Sequence, residues 1–240
     1  VSDAAPPLEV LPEDWTRALA IAAHPDDFEY GMASAVAKWT AAGKSVSYLL
    51  VTRGEAGLAL PPEEAGPLRE VEERRSAAVV GVENVEFLDY RDGVVEYGLP
   101  LRRDIARAVR QHRPEVVLTI NHRETWGGPS FNMADHRNVG LAVLDGVRDA
   151  ANPWIFPELI VEDIEPWSGV SMVCVGGSPQ STHATDVTGY LDRGIASLRE
   201  HARYLEHVGA DADSFLRSGA EAAGARLSTQ HAVSFEVIYV

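Results

Sequence analysis

The segment Ala22-Ala23-His24-Pro25-Asp26-Asp27-Phe28-Glu29 gathers an imidazole and three carboxylates within six residues. Adjacent carboxylates repel unless something positive lies against them, and a divalent cation with His24 as nitrogen ligand is the simplest compensation. A helix N-terminus accounts for the same residues differently, with Asp26 or Asp27 as its cap and Glu29 complementing its dipole. A second group comes much later: Asn121-His122-Arg123-Glu124-Thr125-Trp126-Gly127-Gly128, then Asn132-Met133-Ala134-Asp135-His136-Arg137-Asn138. His24, His136 and one carboxylate, with a coordination position left to water, make an open zinc site, one zinc per chain; Fe2+ or Co2+ accepts the same donors. The plainer account makes His136 a helix-start histidine behind a capping Asp135.

Such a site needs a fold that brings the two segments together. Apolar, β-branched runs at Arg17 to Ala23, Ser45 to Thr52, Val85 to Tyr90 and Glu115 to Asn121 read as buried strands. Between and after them, helical spacing runs over Met32 to Ala42, Leu68 to Val80, Leu101 to His112 and Asp135 to Ala150, stopped by Gly43, Gly81, Pro114 and Asn152-Pro153. Strand then helix, repeated, requires a parallel sheet with helical crossovers. The expected fold class is therefore α/β, a Rossmann-like, doubly wound, mainly parallel sheet with a less regular C-terminal extension. In such sheets the loops after the first and fourth strands meet at the switch point, which puts His24 near His136. Strands at Gly169 to Gly177 and Ala232 to Val240 and a long helix at Gly189 to Val208 complete the C-terminal third, and Pro61 to Pro67 reads as a surface flap. We expect one domain over 1–240, its core about 15–150 and its C-terminal strands and helix about 160–240.

Composition narrows the function classes. The 240 residues carry 21 Lys+Arg against 36 Asp+Glu, a net charge of −15, so a duplex nucleic acid or an anionic membrane is not the expected partner. No run approaches the roughly 18 apolar residues of a membrane span. Val1 to Val10 carries acids and two prolines where a signal peptide has a basic then an apolar stretch. The single cysteine, Cys174, sits in an apolar run and reads as a buried structural thiol. A cytoplasmic protein is the expectation, with homo-oligomerisation left open. No Gly-x-Gly-x-x-Gly loop follows the first strand, so a dinucleotide is not expected.

Ala23-His24-Pro25-Asp26-Asp27-x-Glu29, with Asp135-His136 downstream, resembles the zinc-dependent de-N-acetylases of the PIG-L or LmbE-like family. The likeness extends through Thr52-Arg53-Gly54-Glu55-Ala56-Gly57, Arg69-Glu70-Val71-Glu72, Asp89-Tyr90-Arg91-Asp92-Gly93 and Asp186-Val187-Thr188 with His201. It implies that His24, Asp27 and His136 hold Zn2+ and that Asp26 is the general base. Zinc lowers the pKa of bound water from 15.7 to about 7 and acts as Lewis acid on the carbonyl oxygen. Asp26 takes the proton as water attacks the acetamide and passes it to the amine. The resemblance also implies that Arg69 and Asp92 recognise hydroxyls of a sugar-like substrate. Arg53 is a candidate for an anionic group, and Trp126 for stacking on a sugar ring or an acyl chain; Trp154 and Trp167 are expected in the core.

One departure stands out. Where the family commonly has His-Pro-Asp-His, this chain has Met133-Ala134-Asp135-His136, and Phe131 stands where some relatives have tyrosine. His122 and then His183 are the candidates to replace the missing proton donor. The expected function is metal-dependent hydrolysis of an N-acyl, foremost N-acetyl, group on an amino sugar or glycoside, a small-molecule partner. An amidase of a larger thiol-conjugate or natural-product intermediate, and a sugar- or metal-binding protein without turnover, are the alternatives. Loops Leu58 to Pro67 and Ser178 to Thr185 are expected to shape the pocket.

Overall fold

The computed structural model describes residues 6–209 and 211–240. The expectation about a leader at Val1 to Val10 falls partly on residues outside that range.

The elements, in chain order, are β1 (Glu9–Val10), β2 (Arg17–Ala22), α1 (Asp27–Gly31), α2 (Ala33–Ala41), β3 (Ser45–Leu50), α3 (Pro62–Val79), β4 (Asn84–Phe87), α4 (Leu99–His112) and β5 (Val116–Ile120). They continue with α5 (Ala134–Ala151), α6 (Glu158–Val161), β6 (Met172–Gly176), β7 (His183–Asp186), α7 (Leu191–Arg199), α8 (Ala202–Val208), α9 (Ala212–Leu227) and β8 (Ala232–Tyr239). The eight strands form one sheet in the order β1-β7-β8-β6-β5-β2-β3-β4. From β2 the parallel strands run outward through β3 and β4, and from β5 outward through β6, so the direction of winding reverses between β2 and β5. That is the switch point of a doubly wound sheet, where the loops after β2 and β5 part and leave a crevice. The C-terminal third adds β8, antiparallel to both β6 and β7.

Both sheet faces are covered, which is why the strands read as nearly unbroken apolar runs. In β2, Ala18, Ala20 and Ala22 pack on the side of Phe28, Trp39 and Tyr48; Leu19 and Ile21 pack on the other, with Ile105, Val109 and Val143. Small alanines on one face admit the bulk of Trp39, which is fully buried and edge-on to Trp15 at 5.2 Å. Cys174 is buried on β6, and its surroundings push the thiol up to about 12.

Four local expectations are corrected. The segment from Pro61 is no flap: α3 begins at Pro62, since a proline in a first helical turn gives up an N–H that has no partner there anyway, and Glu63 and Glu64 complement the dipole. The long helix at Gly189 to Val208 breaks into α7 and α8 at His201, whose imidazole turns inward to within 3.5 Å of the buried carboxylates of Glu29 and Glu73. The segment from His183 to Asp186 is a strand pairing with β1 and β8, and no pocket loop. Trp154 is 85% exposed, not core, whereas Trp167 is partly buried and donates to the Pro114 carbonyl at 2.7 Å.

Candidate metal centre

β2 ends at Ala22 and the chain turns sharply through His24-Pro25-Asp26. Asp26 sits at the N-cap position of α1 with φ 98°, a left-handed conformation costly for any residue but glycine. Its side chain does not cap the helix. It accepts instead from Arg69 Nη2 at 2.8 Å, so neither aspartate is spent as the cap that the residues alone allowed. Asp27 is pinned by two backbone donors, Ala23 N at 3.1 Å and His24 N at 2.9 Å, both onto Oδ2. The strained turn thus aims His24 and Asp27 at one point, and α5 brings His136 there from across the switch point.

The three side chains converge closely. His24 Nδ1 lies 3.2 Å from His136 Nε2, His136 Nε2 lies 3.0 Å from Asp27 Oδ1, and His24 Nδ1 lies 3.7 Å from Asp27 Oδ2. Donors at about 2.0–2.1 Å from a tetrahedral ion stand about 3.3 Å from one another, so these separations suit one cation.

The hydrogen-bond network fixes the tautomers. Asn132 donates through Nδ2 to the carbonyls of Asn121 (2.7 Å) and Arg123 (3.0 Å), leaving Oδ1 to accept from His136 Nδ1 at 2.9 Å. His136 therefore presents the bare Nε2 to the site. His24 turns Nε2 toward Asp92 Oδ1 at 3.0 Å and Asp135 Oδ2 at 3.3 Å, and Asp135 is itself held by the N–H groups of Gly93 (2.7 Å) and Val95 (3.1 Å). With that nitrogen donating, Nδ1 is the atom left to face a cation, which takes the place of a second proton. Two unprotonated nitrogens and a carboxylate facing one another at these distances suit a divalent ion that all three can ligate.

Electrostatics agree. Burial lowers the basicity of His24, but hydrogen bonds to Asp135 and Asp92 and the charge of Asp27 outweigh it and raise its pKa to about 10: this place favours a positive charge. Burial pushes Asp27 up, yet His136 and His24 hold its carboxyl well below the usual range. Asp26 moves the other way: burial and the neighbouring Asp27 raise it, against the opposing pull of Arg69.

These residues line a cavity of about 610 Å³ that also includes Arg69, Asp92 and Trp126. Arg69 is buried, its Nη1 donating to Gly54 O at 3.0 Å and its Nη2 to Pro25 O as well as to Asp26. Gly54 has φ 63°, and any Cβ there would run into this guanidinium, so the Arg53-Gly54-Glu55 turn needs glycine twice over. Trp126 stands edge-on to His136 at 5.5 Å. Arg53 faces elsewhere, donating to Glu70 at 3.2 Å and Asp89 at 2.7 Å. His122 is buried under α5, against Gly140, outside the cavity lining. His183 lies on β7, four strand spacings from β2 in the sheet order, roughly 19 Å away, beside Glu9 and Tyr239. Glu29 accepts from Ser76 at 2.6 Å and approaches none of the three converging donors.

Four residues have a place in the site that the sequence does not give them. Asp135, read there as a cap and as part of the motif, and Asn132, quoted without a role, hold the two histidines. Tyr30 and Tyr204 line the cavity, and both hydroxyls are raised, by burial and by the Asp26 charge, Tyr30 to about 12 and Tyr204 further. Tyr204 lies under Arg69, whose guanidinium carbon is 4.5 Å from the ring centroid.

Residues 19–147 match the family described as GlcNAc-PI de-N-acetylase, PIG-L. The diacetylchitobiose deacetylase of Thermococcus kodakarensis is 27% identical over 209 residues, covering 85% of this chain and 76% of its own length. The N,N'-diacetylchitobiose deacetylase from Pyrococcus horikoshii superposes with a TM-score of 0.86 at 24% identity, over 94% of this chain and 84% of that one. The 4-carboxy-2-hydroxymuconate hydratase of Pseudomonas putida has a TM-score of 0.74 at 17% identity, over 94% and 97%. At these identities the two structural likenesses are of fold, and the hydratase illustrates that the fold alone does not name a reaction.

Proposed function

This chain belongs to the PIG-L family of N-acetyl de-N-acetylases, and from that premise we propose that it is a zinc-dependent hydrolase releasing acetate and a free amine from an N-acetylated amino sugar or glycoside. The observation that carries the reading is the convergence of His24 Nδ1, His136 Nε2 and Asp27 on one point beside an Asp26 that is not needed there as a ligand. Those three residues would hold zinc, which would supply a water of lowered pKa and a Lewis acid for the carbonyl oxygen. Asp26, raised by burial and steered by Arg69, takes the proton from the attacking water and delivers it to the departing amine. Asp92 and Asp135 hold His24 in its ligating tautomer, and Asn132 does so for His136.

Met133 cannot donate a proton, which favours the alternative of a binding protein without turnover. Tyr204 answers it. Its hydroxyl stays protonated and faces the same cavity as Asp26, so it supplies the hydrogen bond to the developing oxyanion that the family histidine supplies elsewhere. Tyr204→Phe keeps the ring beneath Arg69 and removes only the O–H. Steady-state kinetics should give a kcat lower by about 10²-fold with KM little changed; an unchanged kcat removes Tyr204 from the mechanism.

The test of the reading is amine release from N-acetylated amino sugars and their glycosides, N-acetylglucosamine and its methyl and phenyl glycosides among them, before and after chelation. We expect release that stops on chelation and returns with added zinc, with Co2+ and Fe2+ tried beside it. Protein holding one equivalent of zinc that frees no amine from any N-acetylated amino sugar would overturn it. No helix among the described residues is long and apolar enough to cross a membrane.

A further inference from the structure

We infer that the substrate of this site is an N-acetylated amino sugar carrying an apolar aglycone, an aryl or alkyl glycoside rather than a free sugar, a sugar oligomer or an anionic conjugate. The inference rests on the deacetylase reading and concerns what the rest of the cavity can recognise.

Two of the polar side chains at the cavity wall are partly engaged by the site itself. Both terminal nitrogens of Arg69 are held, by Gly54, Pro25 and Asp26. Both oxygens of Asp92 are held too, Oδ1 by His24 at 3.0 Å and Oδ2 by Ala56 N at 2.8 Å. These two residues position Asp26 and His24. Drawn toward the metal centre in this way, they offer fewer free donors and acceptors to a second sugar ring farther out.

Most of the remaining wall is aromatic or apolar and comes from four elements: Trp126 and Met133 from the loop between β5 and α5, Tyr30 from α1, Tyr204 from α8 and Phe215 from α9, with Ser130 and the two phenol hydroxyls as its polar atoms. Tyr30 and Phe215 meet edge-on at 5.6 Å. Trp126, Met133 and Phe215 are 38%, 44% and 61% exposed, so large apolar surface faces water around a polar centre. Exposed apolar surface gathered at the mouth of a cavity marks a place where an apolar group is bound. The cavity, about 610 Å³, lies well within the roughly 300–1,000 Å³ of sites for drug-sized ligands, with room beyond one acetamido sugar.

Charge excludes the other classes of conjugate. Among the described residues Arg69 is the only cationic side chain lining the cavity other than the histidines, and it faces Asp26, Asp27 and Asp92. Nearby arginines do not line the cavity: Arg123 pairs with Glu236, Arg53 with Glu70 and Asp89, and Arg137 stacks over the Phe131 ring at 4.7 Å. A phosphate or carboxylate on the aglycone would find no free cationic side chain in the cavity wall to hold it.

The experiment compares kcat/KM for phenyl and methyl N-acetyl-β-D-glucosaminide, with calorimetric binding of phenyl against methyl β-D-glucoside, which lack the amide. We expect the phenyl compound to be favoured by about 10- to 100-fold in kcat/KM, the scale on which a hydrophobic pocket discriminates. In Phe215→Ser, at a position exposed enough to spare the fold, that ratio should fall toward one. Equal kcat/KM for the two glycosides overturns the inference while leaving the deacetylase reading standing. So does a preference seen only when the apolar chain is on the acyl group, as in N-octanoylglucosamine. A dimer that dissociates in Phe215→Ser with the ratio unchanged overturns it too, assigning the apolar face to a subunit contact. Tighter binding of phenyl glucoside with no amine released from either substrate supports the apolar site and sinks the deacetylase reading instead.

Discussion

His136→Ala is expected to yield a folded chain that has lost its metal and with it about three powers of ten or more in kcat. His136 sits in the first turn of α5, 8% exposed, and its backbone contribution to the helix does not depend on the ring. The imidazole supplies one of three donors, and removing it leaves His24 Nδ1 and Asp27 with an incomplete set. Lewis-acid and water-activating effects are worth several kcal/mol, and each 1.36 kcal/mol is tenfold in rate, which sets the size of the loss. Elemental mass spectrometry should find about one equivalent of zinc in the wild type and far less in the variant, with circular dichroism unchanged. Asn132→Leu provides a graded comparison: it removes the acceptor that holds His136 Nδ1–H, and such supporting contacts are worth about 10–100-fold in affinity. A wild-type protein that takes up no zinc, or an His136→Ala protein that keeps it, would mean that these donors do not share an ion.

The meeting of His24 with His136 was legible because it depends on little. Apolar runs alternating with helical spacing dictate a parallel sheet, and a parallel sheet with a reversal dictates which loops are neighbours. Other parts depend on contacts that no local pattern contains. Tyr204 reaches the cavity only because the helical run breaks at His201, and the break follows the burial of that imidazole against Glu29 and Glu73, from distant segments. His183 looked like a loop residue beside serines and threonines; its strand forms because β1 and β8 supply backbone partners from both ends of the chain. Arg69 and Asp92 are read as sugar contacts from the resemblance; that they also hold Asp26 and His24 in place is a matter of where lone pairs and N–H groups point, which no local pattern contains. Arg53, so close in sequence to Arg69's glycine cradle, is drawn outward by two acids instead. Proline misled at α3 for a reason of position: at the first turn it costs nothing, while the same dipeptide elsewhere marks a loop.

Asp26→Asn separates base from ligand, which His136→Ala does not. The amide has the shape of the carboxylate, and its oxygen can still accept from Arg69, so the positive-φ turn and the aim of His24 and Asp27 should survive. What disappears is the ability to carry a proton. The expected outcome is zinc content equal to wild type, KM little changed, and kcat down by about 10²–10⁴-fold, the usual weight of general acid–base catalysis. A stability cost accompanies it, because the buried Arg69 loses the countercharge at 2.8 Å, and breaking such a pair from one side is destabilising; thermal unfolding should move down measurably. The two variants therefore fail in different ways, one without metal and one with it. If Asp26→Asn loses zinc in parallel with activity, Asp26 is a ligand and the base lies elsewhere. If it keeps full turnover, the proton travels through another group, and Tyr30 and Tyr204, the cavity's two phenols, become the next residues to test.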